Sequence, residues 1–174
     1  MTSPERSGGA ISAATWAEFV SQAPDIAARG AVLLAAGTDR DPSKKSWFGI
    51  GFIATVRPDG SPHLSPACPI VTGGRMFIAA VPPKRDNLER NGLYVLHAFL
   101  GGDDAEFAIT GRATAVTSQE DIDAVKKAVE GTGMLSDPDS GERIFELSIE
   151  KAHDAVWVDV GQPGTYAERR TWRP

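Results

Sequence analysis

A short basic segment carries the clearest chemical signal in the sequence. Pro83 precedes Lys84-Arg85-Asp86-Asn87, and a proline suits the first helical position, where its missing N–H has no partner. The first turn of a helix exposes unpaired N–H groups and the positive end of the helix dipole, so two cations there are unfavourable unless an anion binds. Lys84, Arg85 and the amide of Asn87 could together bind a phosphate. The alternative is a solvated, charged helix end.

A proline-rich segment, residues 62–71, is a second unusual feature. Pro62, Pro66 and Pro69 have no N–H to donate to a neighbouring strand. Because N–H groups alternate sides along a strand, this strand cannot be fully paired on both sides. We expect it to be irregular or to lie at a sheet edge, where a ligand or a partner subunit could contact it. Protection of the edge against aggregation is an equal alternative.

Other motifs are weaker. Gly49-Ile50-Gly51-Phe52-Ile53-Ala54 has the letters of a dinucleotide-binding loop, but it leads into a predicted strand instead of opening a helix, which favours close backbone packing. The three histidines and the one cysteine, Cys68, lack the spacing of a metal site. We predict no metal, we interpret Cys68 as a small buried thiol, and we assign no residue as a catalytic acid or base.

The composition indicates a globular protein that does not bind nucleic acid. The chain has 174 residues, 41% of them hydrophobic, and a net charge of -5, whereas nucleic-acid binders usually present a basic face. One cysteine allows no internal disulfide, and no apolar run could span a bilayer. We therefore predict a cytoplasmic protein without membrane partners, with a disordered tail at residues 1–10 and a single domain at residues 11–174.

Hydrophobic alternation and turn residues predict a mainly β (α+β) protein with about six strands. The predicted strands span residues 52–56, 62–71, 76–81, 93–99, 106–116 and 143–160. Tight turns join neighbours, so the sheet should be mainly antiparallel, and closure or half-closure into a barrel would remove exposed edges. Helices are predicted to begin at Thr15, Pro24 and Thr117, while residues 161–174 are predicted to be a packed tail.

These motifs, taken in order, resemble the pyridoxamine-5'-phosphate-oxidase-like family of flavin-binding split β-barrels. The resemblance is carried by residues 53–63, 84–91 and 106–116. It implies a six-stranded antiparallel split β-barrel with flanking helices, a homodimer, and flavin mononucleotide (FMN) at the subunit interface. The cofactor contacts it implies lie on the second and third predicted strands and on the basic segment: Ser65, Pro66, Ala67, Cys68, Ala79, Ala80, Lys84, Arg85 and Asn87.

The sequence also departs from the pattern of the oxidase proper. Pro82-Pro83-Lys84 stands where Ser-Arg-Lys is common, and Ser65 and Ile70 stand where an arginine and a lysine are often found. Oxidation of vitamin B6 is therefore not expected. We expect an FMN-binding oxidoreductase acting on an unidentified small-molecule substrate. Two alternatives stay open: a non-catalytic binding protein for flavin, deazaflavin coenzyme or heme, and a cofactor-free dimer.

Overall fold

A computed structural model describes residues 12–36, 38, 40–99, 104–135 and 141–174. The predicted tail, residues 1–10, lies outside these ranges. The four helices of the described chain are α1 (Trp16–Gln22), α2 (Pro24–Ala35), α3 (Lys84–Asn91) and α4 (Gln119–Ala128). The strands are β1 (Trp47–Phe48), β2 (Gly51–Val56), β3 (Pro62–Ala67), β4 (Ile70–Thr72), β5 (Arg75–Ala80), β6 (Leu93–Ala98), β7 (Glu106–Ala115), β8 (Arg143–Val158) and β9 (Tyr166–Trp172).

All strands of the described chain belong to one antiparallel sheet, which curls into a split barrel. The strand order is β1-β4-β5-β8-β7-β6-β2-β3, with β9 added to β8. Tight turns connect β2 to β3 and β4 to β5, as the turn residues predict. The predicted fold class is therefore confirmed.

The structure has nine strands where the sequence predicted six. The predicted strand 62–71 divides into β3 and β4, because the chain leaves the edge of β2 at Cys68-Pro69 and then pairs with β5. β1 contains only two residues, too few to show a period in the sequence. β9 was predicted as a tail, and its mixed, charged sequence acquires strand structure only by pairing with β8.

The helices predicted at Thr15 and Pro24 begin there, and the one predicted at Thr117 has its N-cap one residue later, at Ser118. Thr15 and Glu18 form a reciprocal capping box at the start of α1, Pro24 opens α2, and the Ser118 side chain accepts a hydrogen bond from Asp121 N–H at the start of α4. None of the helices in the described ranges is long and apolar enough to cross a membrane.

Two clusters of buried side chains hold the sheet and helices together. The larger packs α1 and α2 against the barrel and includes Phe19, Leu34 and Phe107. The smaller lies under α4 and includes Phe77 and Val125. The smaller cluster supports β4, β5 and the start of β8, and these elements form one wall of the pocket described below.

The Gly49-x-Gly51 motif marks close packing, as the sequence analysis favoured. A Cβ atom at Gly49 would lie 2.5 Å from the Leu34 carbonyl oxygen, and one at Gly51 would lie 2.5 Å from that of His97. Both contacts are with backbone, which cannot move aside cheaply. These glycines let α2 and β6 approach β2.

Candidate functional site

A pocket of about 400 Å³ lies at the split of the barrel, between β3, β5 and the first turn of α3. This volume falls in the range of small-molecule sites. Its lining comes from four separate stretches of the chain: Pro66, Ala67, Cys68, Ile70, Ala79, Lys84, Gly133, Met134, Leu135 and Glu142. Five of these residues are among the predicted cofactor contacts.

The break between β3 and β4 creates the pocket. Among the described strands, β3 pairs with β2 alone and ends at Ala67, so the first half of the proline-rich segment lies at a sheet edge, as predicted. The second half, β4, pairs with both β1 and β5 and lies inside the sheet. The carbonyl of Pro69 accepts a hydrogen bond from Gly49 N–H at 2.8 Å, and this fixes the crossing to β4. Cys68 therefore sits at the split, with its half-buried side chain on the pocket wall.

Lys84 places a cation at the pocket. Its Nζ donates to the carbonyl oxygen of Pro66 at 2.9 Å, which ties the first turn of α3 to the end of β3. Burial is the largest cause and lowers the pKa of Lys84, while negative charge on Cys68 or Glu142 acts in the opposite direction. An ammonium group has three donors, so the bond to Pro66 leaves donors for a ligand.

Cys68 is chemically quiet in this setting. Burial raises the pKa of its thiol, and the nearby Lys84 charge only partly opposes this effect. The thiol is therefore protonated at neutral pH and is a weak nucleophile. The sequence analysis predicted a small buried thiol, but the structure leaves Cys68 only half-buried, because its side chain faces the pocket.

Ser65 and Ala80 lie beside the pocket without lining it. Ala80 is 1% exposed and points into the core, because alternate residues of β5 face opposite sides and Ala79 takes the pocket side. The hydroxyl of Ser65 is buried and has no hydrogen-bond partner in the described part of the chain. A buried hydroxyl without a partner is costly, so Ser65 is suited to meet a polar ligand atom next to Pro66.

Arg85 and Asn87 take other partners. The Arg85 guanidinium bonds the Asp86 carboxylate and the Gly141 carbonyl, each at 2.9 Å. Asn87 is buried and donates its amide to Thr55 Oγ1 at 3.0 Å, which fixes α3 against β2. In this structure only Lys84 of the three predicted phosphate contacts reaches the pocket.

The start of α3 supplies backbone donors near Lys84. Pro83 is the N-cap residue, and no described side chain caps this helix. The Pro82–Pro83 peptide bond is cis. Arg85 N–H donates to the Val81 carbonyl and Asn87 N–H to the Pro83 carbonyl, so part of the first turn is already satisfied internally.

Several lining residues were missed by the sequence analysis. Met134 and Leu135 follow α4 and pack against the smaller core cluster, and Glu142 immediately precedes β8. Met134 and Leu135 reach the pocket through their packing against the smaller core cluster. Glu142 reaches it through the antiparallel pairing of β8 with β5, in which Ala79 lies opposite Ile144. No local sequence pattern marks a contact between segments so far apart in the chain.

Known proteins share the sequence pattern and the fold of this chain. The sequence matches the pyridoxamine 5'-phosphate oxidase family over residues 48–155, more than half of the chain. No curated protein matches the sequence significantly. One similar solved structure is a protein related to general stress protein 26, of the pyridoxinephosphate oxidase family, from Clostridium acetobutylicum. It is 12% identical, the match covers 90% of this chain and 94% of that one, and the TM-score is 0.55.

A second similar structure is a heme binding protein from Mycobacterium smegmatis. It is 19% identical, with a TM-score of 0.54, and the match covers 83% of this chain but 57% of that one. At these identities the two structures share the fold. Together with the match over residues 48–155, they show that the chain belongs to the pyridoxamine 5'-phosphate oxidase family and has its split-barrel fold.

Proposed function

We propose that this protein binds FMN in the pocket at the barrel split and acts as an oxidoreductase on a small molecule. One observation carries the proposal: the pocket gathers Pro66, Ala67, Cys68, Ala79 and Lys84 in a chain that belongs to this family. These residues come from the end of β3, the middle of β5 and the start of α3. The family resemblance assigns cofactor contacts to the same three elements.

The chemistry of the pocket suits a flavin. Lys84 offers a charged donor for a phosphate. The buried hydroxyl of Ser65, which has no partner among the described residues, lies next to Pro66 in β3 and would need to turn toward the pocket to contact the ligand. The side chains of Ile70, Met134 and Leu135 form an apolar wall suited to an aromatic ring. Arg85 would join the phosphate only if it left Asp86 and Gly141.

The flavin and the protein would have different roles in the reaction. A bound flavin supplies hydride or electron transfer. The chain supplies orientation through β3 and β5, charge through Lys84, and a wall at Cys68 whose thiol stays protonated. Glu142 lines the same pocket, and its negative charge acts on Lys84.

We further propose a homodimer. The face of β3, β2 and β6 that points away from the core exposes a row of apolar side chains, with Leu64 at 65%. The strand register places Leu64, Ala54 and Val95 side by side, and Phe52 next to Pro66. An exposed apolar sheet face of this kind is typical of a subunit interface, and Pro66 also lines the pocket.

Absorption spectroscopy tests the proposed cofactor. Purified protein is mixed with excess FMN, desalted, and its visible spectrum recorded. We expect flavin bands at about one flavin per chain, and bleaching of these bands when NADH or NADPH is added under argon. A colourless protein would overturn FMN binding. Retained flavin that neither NADH nor NADPH bleaches would leave a binding protein and overturn the oxidoreductase.

Heme binding is the second candidate. Cys68 and Met134 both line the pocket, and thiolate and thioether sulfur atoms are known axial ligands of heme iron. A solved structure with the same fold is a heme binding protein. A Soret band after hemin addition that shifts in Cys68→Ser or Met134→Leu would support this candidate. A spectrum identical to that of free hemin would exclude it.

A further inference from the structure

A second concave surface of the protein is bordered by three arginines. It is a groove of about 650 Å³ between the C-terminal half of α3, β7 and the start of β8. Arg90 comes from α3, Arg112 from β7 and Arg143 from β8. The lining of this groove shares no residue with that of the pocket at the barrel split.

Each guanidinium is held at the groove by one or two protein contacts. Arg90 donates to the Val56 carbonyl. Arg112 pairs with Glu150 at 3.3 Å and reaches the Asn91 carbonyl at 3.4 Å. Because a guanidinium has five N–H donors, these contacts orient the groups and still leave donors for a ligand.

Arg143 is held in the same way. Its Nη1 lies 3.2 Å from the Glu89 carboxylate, and its side chain is 63% exposed. The lining of the groove thus contains three arginines and one glutamate, and Arg112 also pairs with the carboxylate of Glu150, which is not part of the lining. The local charge is positive in a chain whose net charge is -5.

The floor of the groove is buried and shaped by backbone. Gly92 has a φ of +68° at the end of α3, and its carbonyl accepts a hydrogen bond from Ala113 N–H at 2.8 Å. A Cβ atom at Gly92 would lie 2.8 Å from the Ala113 carbonyl oxygen. This close approach of α3 to β7 fixes the spacing between Arg90 and Arg112.

We propose that this groove is a binding site for a small phosphate-type anion carrying two or more negative charges. Guanidinium groups bind such anions through paired, charge-assisted hydrogen bonds. Three of them, from three different elements, border one concavity and are already oriented by Val56, Glu150 and Glu89. The site is independent of the FMN proposed at the barrel split.

Inorganic pyrophosphate is a suitable probe, with binding measured by calorimetry at low salt on the full chain. We expect saturable binding of one pyrophosphate per chain. Arg112→Ala with Arg143→Ala should weaken it at least about tenfold, because the charge-assisted hydrogen bonds of both guanidinium groups to the anion are lost. Arg169→Ala with Arg57→Ala is the matched control, because it removes the same charge from exposed arginines outside the groove.

A second variant tests the site by gain of affinity. Glu89→Gln removes the carboxylate that competes for Arg143, so pyrophosphate should bind several-fold more tightly. Unfolding midpoints of all variants confirm that the fold is kept. The proposal is overturned if wild-type protein does not bind pyrophosphate, if the control pair loses as much affinity as the groove pair, or if Glu89→Gln leaves the affinity unchanged.

Discussion

Lys84 is the residue on which the proposed cofactor site depends most. It lines the pocket and bonds the Pro66 carbonyl, whereas the Arg85 guanidinium is engaged by Asp86 and Gly141. Lys84→Ala should weaken FMN binding about 10- to 100-fold, because a hydrogen bond to a charged group is worth roughly 1.5–3 kcal/mol. Arg85→Ala should change it by less than about threefold, because the Arg85 guanidinium is engaged by Asp86 and Gly141 and does not line the pocket.

Fluorescence titration measures both affinities, because free FMN is fluorescent and bound flavin is generally quenched. The two variants remove the same charge from adjacent residues, so each is the control for the other. An Arg85→Ala effect as large as that of Lys84→Ala would show that Arg85 leaves its partners when FMN binds. Unchanged affinity in Lys84→Ala would remove this lysine from the site.

The pH dependence of FMN binding should also report Lys84. Burial lowers the pKa of Lys84 below the ordinary value of 10.5, so the amine loses its proton at a lower pH than a free lysine does. FMN affinity should fall as the pH rises through this lowered pKa, because a neutral amine attracts phosphate less. Lys84→Arg should abolish the decline, since a guanidinium stays protonated. A decline of equal size in Lys84→Arg would assign the titration to another group.

The lowered pKa of Lys84 also makes the free energy of unfolding depend on pH. Between the lowered pKa of Lys84 and 10.5, the unfolded chain binds more protons at this residue than the folded chain does. The Lys84 contribution to the free energy of unfolding of the cofactor-free protein therefore rises with pH in that interval. The Lys84 contribution to the free energy of unfolding should therefore rise with pH while FMN affinity falls, so the two measurements can be told apart.

At the scale of elements, β9 is held by a buried carboxylate. Asp154 of β8 has a side chain that is 1% exposed, and it pairs with Arg170 of β9 and, at 3.2 Å, with Arg29 of α2. Asp154→Ala should lower the free energy of unfolding by about 3 kcal/mol, at the low end of the range for breaking a buried pair, because both arginines remain partly solvated.

Chemical denaturation measures this loss. Lys44→Ala breaks the exposed pair with Asp41 and is the control, with an expected change below about 1 kcal/mol. Equal effects of the two substitutions would mean that Asp154 does not stabilise the attachment of β9 and α2 to β8.

The elements differ in how far their sequences determine them. The capping box at Thr15 and the alternation in residues 106–116 are local signals, and α1 and β7 form where these signals predict. β9 has no such signal, because its charged residues 168–170 acquire strand structure from pairing with β8 and from the contact with Asp154. The division of the predicted strand 62–71 likewise depends on which neighbour each half meets.

Some residues of the pocket could also be predicted from the sequence, and others could not. Lys84 could be identified from the sequence because two cations at a helix N-terminus are unfavourable unless an anion binds there. Pro66 could be identified because a proline cannot donate a hydrogen bond within a strand. The positions of Ser65 and Cys68 relative to a cofactor came only from resemblance to the family. Met134 and Glu142 could not be predicted, since non-local packing brings them to the pocket. Met134 packs against the smaller core cluster, and Glu142 is placed by the pairing of β8 with β5.

At the scale of the whole molecule, the exposed face of β3, β2 and β6 should be the subunit interface. Leu64→Asp places a charge in the middle of this face and should convert a dimer to a monomer in analytical ultracentrifugation. Val32→Asp, which changes an exposed valine of α2 outside this face, is the matched control and should leave the dimer intact. Dimers of undiminished stability in Leu64→Asp would place the interface elsewhere.

Alkylation of Cys68 shows directly whether FMN occupies the pocket at the barrel split. Cys68 is the one cysteine of the chain and lies on the pocket wall, so its alkylation rate, followed by intact-protein mass spectrometry, reports on that pocket alone. We expect slow alkylation, because burial raises the pKa of the thiol, and a further slowing of at least about tenfold at saturating FMN. An alkylation rate that FMN leaves unchanged would show that FMN does not occupy this pocket.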